Sequence, residues 1–190
     1  MFLSRWIDRL NERIATGVSW ALLAAVLICA GNALMRYLFN SSSNAWLEIQ
    51  WYLFAAMFML ASAHTLKRDE HVRIDVVAAR FSLRTRVWLD LFGYLVFLLP
   101  VCLLILYFGV PFALGSIRSG EMSSNAGGLI VWPAKLLVPL GFGLLVLQGV
   151  SEIIKRIAFL AGRIDASEFA KQAATPADEI EAIKAANHLG

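Results

Sequence analysis

Four long apolar stretches, at residues 14–38, 45–66, 87–108 and 129–154, leave this chain few folds to choose from. Each exceeds the roughly 18 apolar residues that mark a membrane-crossing helix. In hydrocarbon only helices and closed barrels satisfy every backbone N–H and C=O, and runs of this length read as helices. The predicted fold is all-α: a polytopic membrane protein of four transmembrane helices plus short interfacial amphipathic helices. Of 190 residues, 59% are hydrophobic, which leaves little for a second, soluble domain. The expected organisation is an N-terminal interfacial helix over 1–13, a transmembrane domain over 14–157 and a polar tail over 158–190.

Basic residues orient the spans. Arg5, Arg9 and Arg13 precede the first, and Lys67, Arg68, Arg73, Arg80, Arg84 and Arg86 follow the second. Lys155, Arg156 and Arg163 follow the fourth, whereas the other two loops hold Arg118 alone. The positive-inside rule then predicts cytoplasmic N- and C-termini and a cytoplasmic second loop. The net charge of +3 comes from residues beside the spans, where they meet anionic lipid, and does not point to nucleic acid. The first apolar stretch is longer than a signal-peptide core and is expected to be kept as a helix.

Leu3, Trp6, Ile7, Leu10 and Ile14 share one helical face, with Arg5, Arg9 and Arg13 in a separate row. That pattern predicts a helix lying on the membrane, with Arg5, Trp6, Arg9 and Arg13 toward lipid headgroups. A second interfacial helix is expected around Ile74, Val77, Ala78 and Phe81, and a short one after Pro176 in the tail. Asn44 is read as the cap of span 2, with Trp46, Trp51 and Tyr52 in an aromatic belt. Pro100 should kink span 3 or open its backbone ladder, and Pro111 should end or bend it. Residues 112–128 are then the outer loop.

Catalytic chemistry finds no footing. The three histidines, His64, His71 and His188, do not form an opposed pair for haem. Cys29 and Cys102 read as small buried mid-span residues rather than ligands. No phosphate loop, nucleophile elbow or mid-membrane carboxylate pair is present. The polar groups of the spans lie near their ends. Arg36 and Glu48 should sit at similar depth across a five-residue turn and are predicted to pair, the alternative being that both snorkel to headgroups. Gln148 and Glu152 are i, i+4 near the inner end of span 4. They form either a polar end facing headgroups or a hydrogen-bonding face for a partner helix, and Asp90 is similarly open. The span centres carry no ionisable group, which argues against a solute path inside this chain.

Several strings then stand out in order: Asn44-Ala45-Trp46-Leu47-Glu48-Ile49-Gln50-Trp51-Tyr52, Glu70-His71-Val72-Arg73-Ile74-Asp75, Gly120-Glu121-Met122-Ser123-Ser124-Asn125, and Trp132-Pro133-Ala134-Lys135 with Pro139-Leu140-Gly141-Phe142. Together, from about Arg36 to Glu152, they resemble the small membrane subunit of tripartite ATP-independent periplasmic (TRAP) transporters. The resemblance implies a non-catalytic subunit in the bacterial inner membrane. Its partners would be a large elevator-type subunit, which holds the substrate and sodium sites, and a periplasmic substrate-binding protein. No cofactor is expected on this chain. The Glu-Ile-Gln-Trp variant resembles the branch associated with 2-oxo acids and related organic anions. The family often carries two acids in this motif, whereas here Glu48 is followed by Ile49 and Gln50. Trp46, Trp51, His71, Arg73, Asp75, Arg80, Glu121, Ser123, Gln148 and Glu152 are the candidate partner or lipid contacts. For Arg73 and Asp75 the favoured roles are a lipid phosphate contact and a helix-end charge, against a contact with the large subunit. Glu121 and Ser123 either cap span 4 or face the binding protein. Two other classes compete: a membrane anchor of a redox complex, and a self-contained small transporter.

Overall fold

The computed structural model describes residues 2–41, 43–68 and 82–163, with side chains from Ser4 onward. Four helices account for nearly all of them: α1 (Phe2–Phe39), α2 (Asn44–Lys67), α3 (Leu83–Ser119) and α4 (Trp132–Leu160). Each is long and apolar enough to cross a membrane. α1 pairs with α2, and α4 lies against each of the other three. One end of the bundle carries the turn from α1 to α2 and the loop from α3 to α4. The other carries the N-terminus and the last turns of α2 and α4. They are called here the turn end and the terminal end.

The N-terminal segment is helical, as its periodicity predicts, but it is not a separate helix. α1 runs unbroken for 38 residues, about 57 Å at the rise of an α-helix. Its first turns bury Ser4, Ile7 and Asn11, not the Trp6–Leu10 face, against α4. Polar side chains buried with partners fix this segment in line with span 1 more firmly than an apolar stripe could hold it on a headgroup layer. Arg5, Trp6, Arg9 and Arg13 are all exposed.

Span 3 is longer than the sequence suggested. α3 starts at Leu83 and is capped by Ser82, whose hydroxyl accepts a bond from the Thr85 N–H and satisfies one of the orphan donors of the first turn. Pro100 lacks an N–H, and its ring would strike the carbonyl four residues back. The helix answers with a π-turn at Tyr94–Leu98, widening the ladder just before the proline. Pro111 neither ends nor caps the helix, which continues to Ser119 and stops at Gly120. Gly120 adopts φ 61°, a left-handed conformation natural to glycine at this position, and its N–H returns to the Ser116 carbonyl. The loop therefore spans 120–131 rather than 112–128.

Glycine sets the closest helix approach. A Cβ on Gly141 would lie 2.7 Å from the Met59 carbonyl oxygen and 2.8 Å from its Cβ, so α4 and α2 touch backbone to side-chain root there. A Cβ on Gly149 would meet the end of Leu98, at Cδ2, 2.7 Å away. A leucine terminus can rotate, and a backbone carbonyl cannot. Gly141→Ala should therefore destabilise the bundle by about 1–3 kcal/mol, and Gly149→Ala by clearly less. Thermal unfolding of the two variants in the same detergent checks the order, and equal losses would refute it.

Most of the apolar surface faces outward. Along α3, Trp88, Phe92, Phe97, Val101, Leu104, Phe108 and Phe112 are all exposed, and only 6% of its most apolar window is buried. Such a face needs lipid or another membrane protein against it. Cys102 is buried, as expected of a small apolar residue, whereas Cys29 lies exposed on α1.

Candidate functional site

At the turn end, the 120–131 loop folds back over the start of α2 and closes on Glu48. A short antiparallel bridge, Met122 with Ile130, zips the base of the loop. The Ser123 N–H donates to the Leu129 carbonyl at 2.8 Å and the Val131 N–H to the Glu121 carbonyl at 2.9 Å. At the tip, the Gly128 N–H donates to the Asn125 carbonyl, and Gly127 takes φ 70°. This geometry aims three donors at one carboxylate. The Ser123 hydroxyl and the Asn125 amide (2.9 Å) donate to Glu48 Oε1, and the Leu129 N–H donates to Oε2 at 2.6 Å. Gly128 makes the approach possible, because a Cβ there would lie 2.6 Å from Ser123 Cβ and 2.8 Å from Glu48 Oε1. Glu48 ends 3% exposed.

Two further contacts tie the loop to α2. The Asn44 side chain donates to the Ala126 carbonyl at 2.9 Å, and the Tyr52 hydroxyl donates to the Ile130 carbonyl at 3.1 Å. Asn44 is thus a loop anchor rather than the cap of α2; Ser43 holds the cap position and makes no side-chain cap bond. The predicted Arg36–Glu48 pair is not formed. Donors from the loop occupy both carboxylate oxygens, and Arg36 lies exposed on α1. Three directed hydrogen bonds satisfy a carboxylate as fully as one guanidinium.

Glu121 fixes the base of the loop to α3 and α4. It pairs with Lys135 and accepts the Ser116 hydroxyl at 3.0 Å. Lys135 also sits 4.2 Å over the Phe112 ring. The hydrogen bond from Lys135, and next the one from Ser116, hold the Glu121 carboxyl below its ordinary value near 4.5. A lowered value in the folded state means that this contribution is complete at neutral pH and above 4.5, and is lost as pH falls through the lowered value. Acidification from pH 7 to 5 should leave the loop base closed, and opening should begin only below about pH 4.5. Fluorescence of the adjacent Trp132 reads this, and Glu121→Gln should abolish the transition.

The segments that build this clasp are those whose order was distinctive in the sequence. The family model described as "Tripartite ATP-independent periplasmic transporters, DctQ component" matches residues 24–159. The chain belongs to this family. It is the small membrane subunit of a TRAP transporter, a multi-pass membrane protein whose family implies a large membrane subunit and a binding protein as partners. No curated protein matches it.

In this TRAP subunit a second polar cluster lies at the terminal end, where α1, α3 and α4 meet. Gln148 is fully buried at its centre. Its amide group donates to Asp8 and to Glu152, both at 3.0 Å, which fixes its orientation. Its oxygen must then accept, and it takes the Asn11 amide at 2.7 Å. Asn11 Oδ1 is left buried with no hydrogen-bond partner among the described residues. Ser151 bonds Ser4 at 2.7 Å and Asp8 at 3.1 Å. Lys155 bridges Asp8 and Glu152, each at 2.8 Å. Arg156 reaches Glu152 at 2.6 Å and Asp90 at 3.2 Å, with its guanidinium 4.6 Å over the Tyr94 ring.

Gln148 and Glu152 therefore do not face headgroups. Gln148 bonds Asn11 and Asp8 of α1 in the same chain, whereas Glu152 bonds Gln148, Lys155 and Arg156 of its own helix. Ser123 is likewise committed within the chain, to Glu48, while Trp46 and Trp51 remain 50% and 62% exposed. His71, Arg73, Asp75 and Arg80, with both expected helices around 74–81 and after 176, lie outside the described residues. Asn125, Gly128, Asp8, Asn11 and Arg156 were not singled out from the sequence. A signal for the second cluster was there. Ser4, Asp8 and Asn11 on one helix, and Gln148, Ser151, Glu152, Lys155 and Arg156 on another, are polar stripes at helical spacing. Among the described residues no trio of His, Cys, Asp or Glu could hold a metal ion.

Proposed function

We propose that this subunit is the fixed, non-catalytic part of a sodium-driven secondary transporter for organic anions in the bacterial inner membrane. One observation carries the reading. The charged groups buried in the bundle find partners within the chain at its two ends, while the long faces between them offer mostly apolar surface. Such helices suit a scaffold that enlarges the large subunit's hold on the bilayer. Substrate and sodium sites then belong to the large subunit, and this chain needs no cofactor of its own. The distribution of basic residues favours cytoplasmic termini and a periplasmic 120–131 loop, and in that orientation the clasp would help dock the substrate-binding protein. The hint toward 2-oxo acids rests on the span 2 motif.

The test is a three-part uptake assay. The subunit alone in liposomes should move no organic anion under a sodium gradient. Its deletion should abolish uptake by the complete system while the large subunit inserts at normal levels. Uptake that persists without it would refute the scaffold role. Labelling of single cysteines at the two ends from outside intact cells checks the orientation.

A further inference from the structure

Arg36 is a cation set into the end of an apolar helix with no counter-ion among the described residues. Its chain-mates at comparable positions are paired: Lys67 with Glu12, Lys135 with Glu121, Lys155 with Asp8, Arg156 with Glu152. The described carboxylates at the turn end are Glu48 and Glu121, and both are engaged elsewhere. Arg36 instead borders a groove of about 540 Å³ between α1 and α2. Asn32 and Asn40 lie on the polar side of this groove with Arg36, and Cys29, Ala33 and Leu47 form its apolar floor. Exposed Tyr37, Phe39, Trp46 and Trp51 surround the same end, the pattern of rings that collect at headgroup depth.

We infer that this groove binds a phospholipid from the leaflet that the turn end contacts, with the Arg36 guanidinium on the lipid phosphate. A guanidinium presents two parallel N–H donors to two phosphate oxygens, a geometry that an ammonium cannot reproduce. The Asn32 and Asn40 amides offer further donors to the headgroup and glycerol esters. The apolar floor accepts the first methylenes of an acyl chain. A charge at this depth is costly when unpaired, and the phosphate is the anion most abundant there. The site is independent of what the transporter carries.

Native mass spectrometry of the full chain, purified and offered phosphatidylglycerol, phosphatidylethanolamine or a phosphate-free diacyl glycolipid, tests this. The unmodified chain should retain one phospholipid of either kind and little glycolipid. Arg36→Gln, an exposed and structurally mild change, should weaken retention about tenfold, the loss expected for a charged hydrogen-bonding pair. Arg36→Lys should recover part of it, and Ala33→Trp, which fills the floor, should also release the lipid. Inorganic phosphate should not displace it. Equal retention by Arg36→Gln, or equal retention of the glycolipid, overturns the assignment. So does an Arg36→Gln variant that keeps its lipid but no longer co-purifies with the large subunit, since Arg36 would then serve a carboxylate of that partner. Because no reading depends on uptake, this result and the transport result can fail separately.

Discussion

Glu48→Gln should release the 120–131 loop nearly as fully as Glu48→Ala. The substitution keeps shape and removes charge, so a role in packing alone would tolerate it. The donors do not. Ser123 and Asn125 point at one oxygen, and the Leu129 backbone N–H points at the other. Whichever oxygen becomes an amide nitrogen then faces a donor with a donor. Ser123 can rotate its hydroxyl away, but the Leu129 N–H belongs to the backbone and has no alternative. Glu48→Asp shortens the reach by a methylene and should fail in the same direction. Hydrogen exchange at the Leu129 amide is the direct measure, with an expected acceleration of at least about tenfold. Unchanged protection in Glu48→Gln would show that the loop closes without the carboxylate. Gly128→Ala should phenocopy the effect with Glu48 intact, because its Cβ would occupy the space of Ser123 and Glu48. If the loop helps dock a binding protein, both variants should lose uptake while the large subunit remains inserted.

Arg156→Ala should destabilise the bundle by about 3–5 kcal/mol, the cost of breaking a buried ion pair from one side. Arg156 is 4% exposed and stands between Glu152 on its own helix and Asp90 on α3. Its removal leaves Asp8 and Glu152 sharing Lys155 and takes the guanidinium away from Asp90. Lysine at 156 cannot bridge both acids with the same fork and should recover only part of the loss. The informative control is the double variant Arg156→Met with Asp90→Asn. Removing the Asp90 charge together with the guanidinium that it faces relieves desolvation, so the double variant should be less damaging than the sum of the singles. Thermal unfolding in one detergent supplies all the values. Strict additivity would mean that Arg156 and Asp90 do not sense each other.

Much of the architecture was legible from the sequence because its signals are local. The length of an apolar run decides whether a helix can span, and the side on which arginines gather is written beside each run. Pro100 announced a disturbance in span 3, and the π-turn at Tyr94–Leu98 is that disturbance. Boundaries were less legible. Pro111 seemed to end span 3 because proline removes one bond, yet one lost bond inside an otherwise favourable apolar helix does not stop it. The N-terminal turns carried two stripes at once, an apolar one and a polar one, and spacing alone cannot say which is buried.

By itself the sequence determined four apolar helices, their basic flanks and the ordered strings that mark a TRAP small subunit, since each depends on neighbours within a turn or a loop. Only the tertiary structure decided what the polar residues are for. Glu48 meets donors 75 to 81 positions away, and Ser4 meets Ser151 across 147. Hydrogen bonds extend about 3 Å and are directional, so these choices exist only after the helices have packed. From the sequence Arg36 was the predicted partner of Glu48, and only the packed loop showed that carboxylate held by other donors. The same packing that gave Glu48 to the loop left Arg36 exposed on α1.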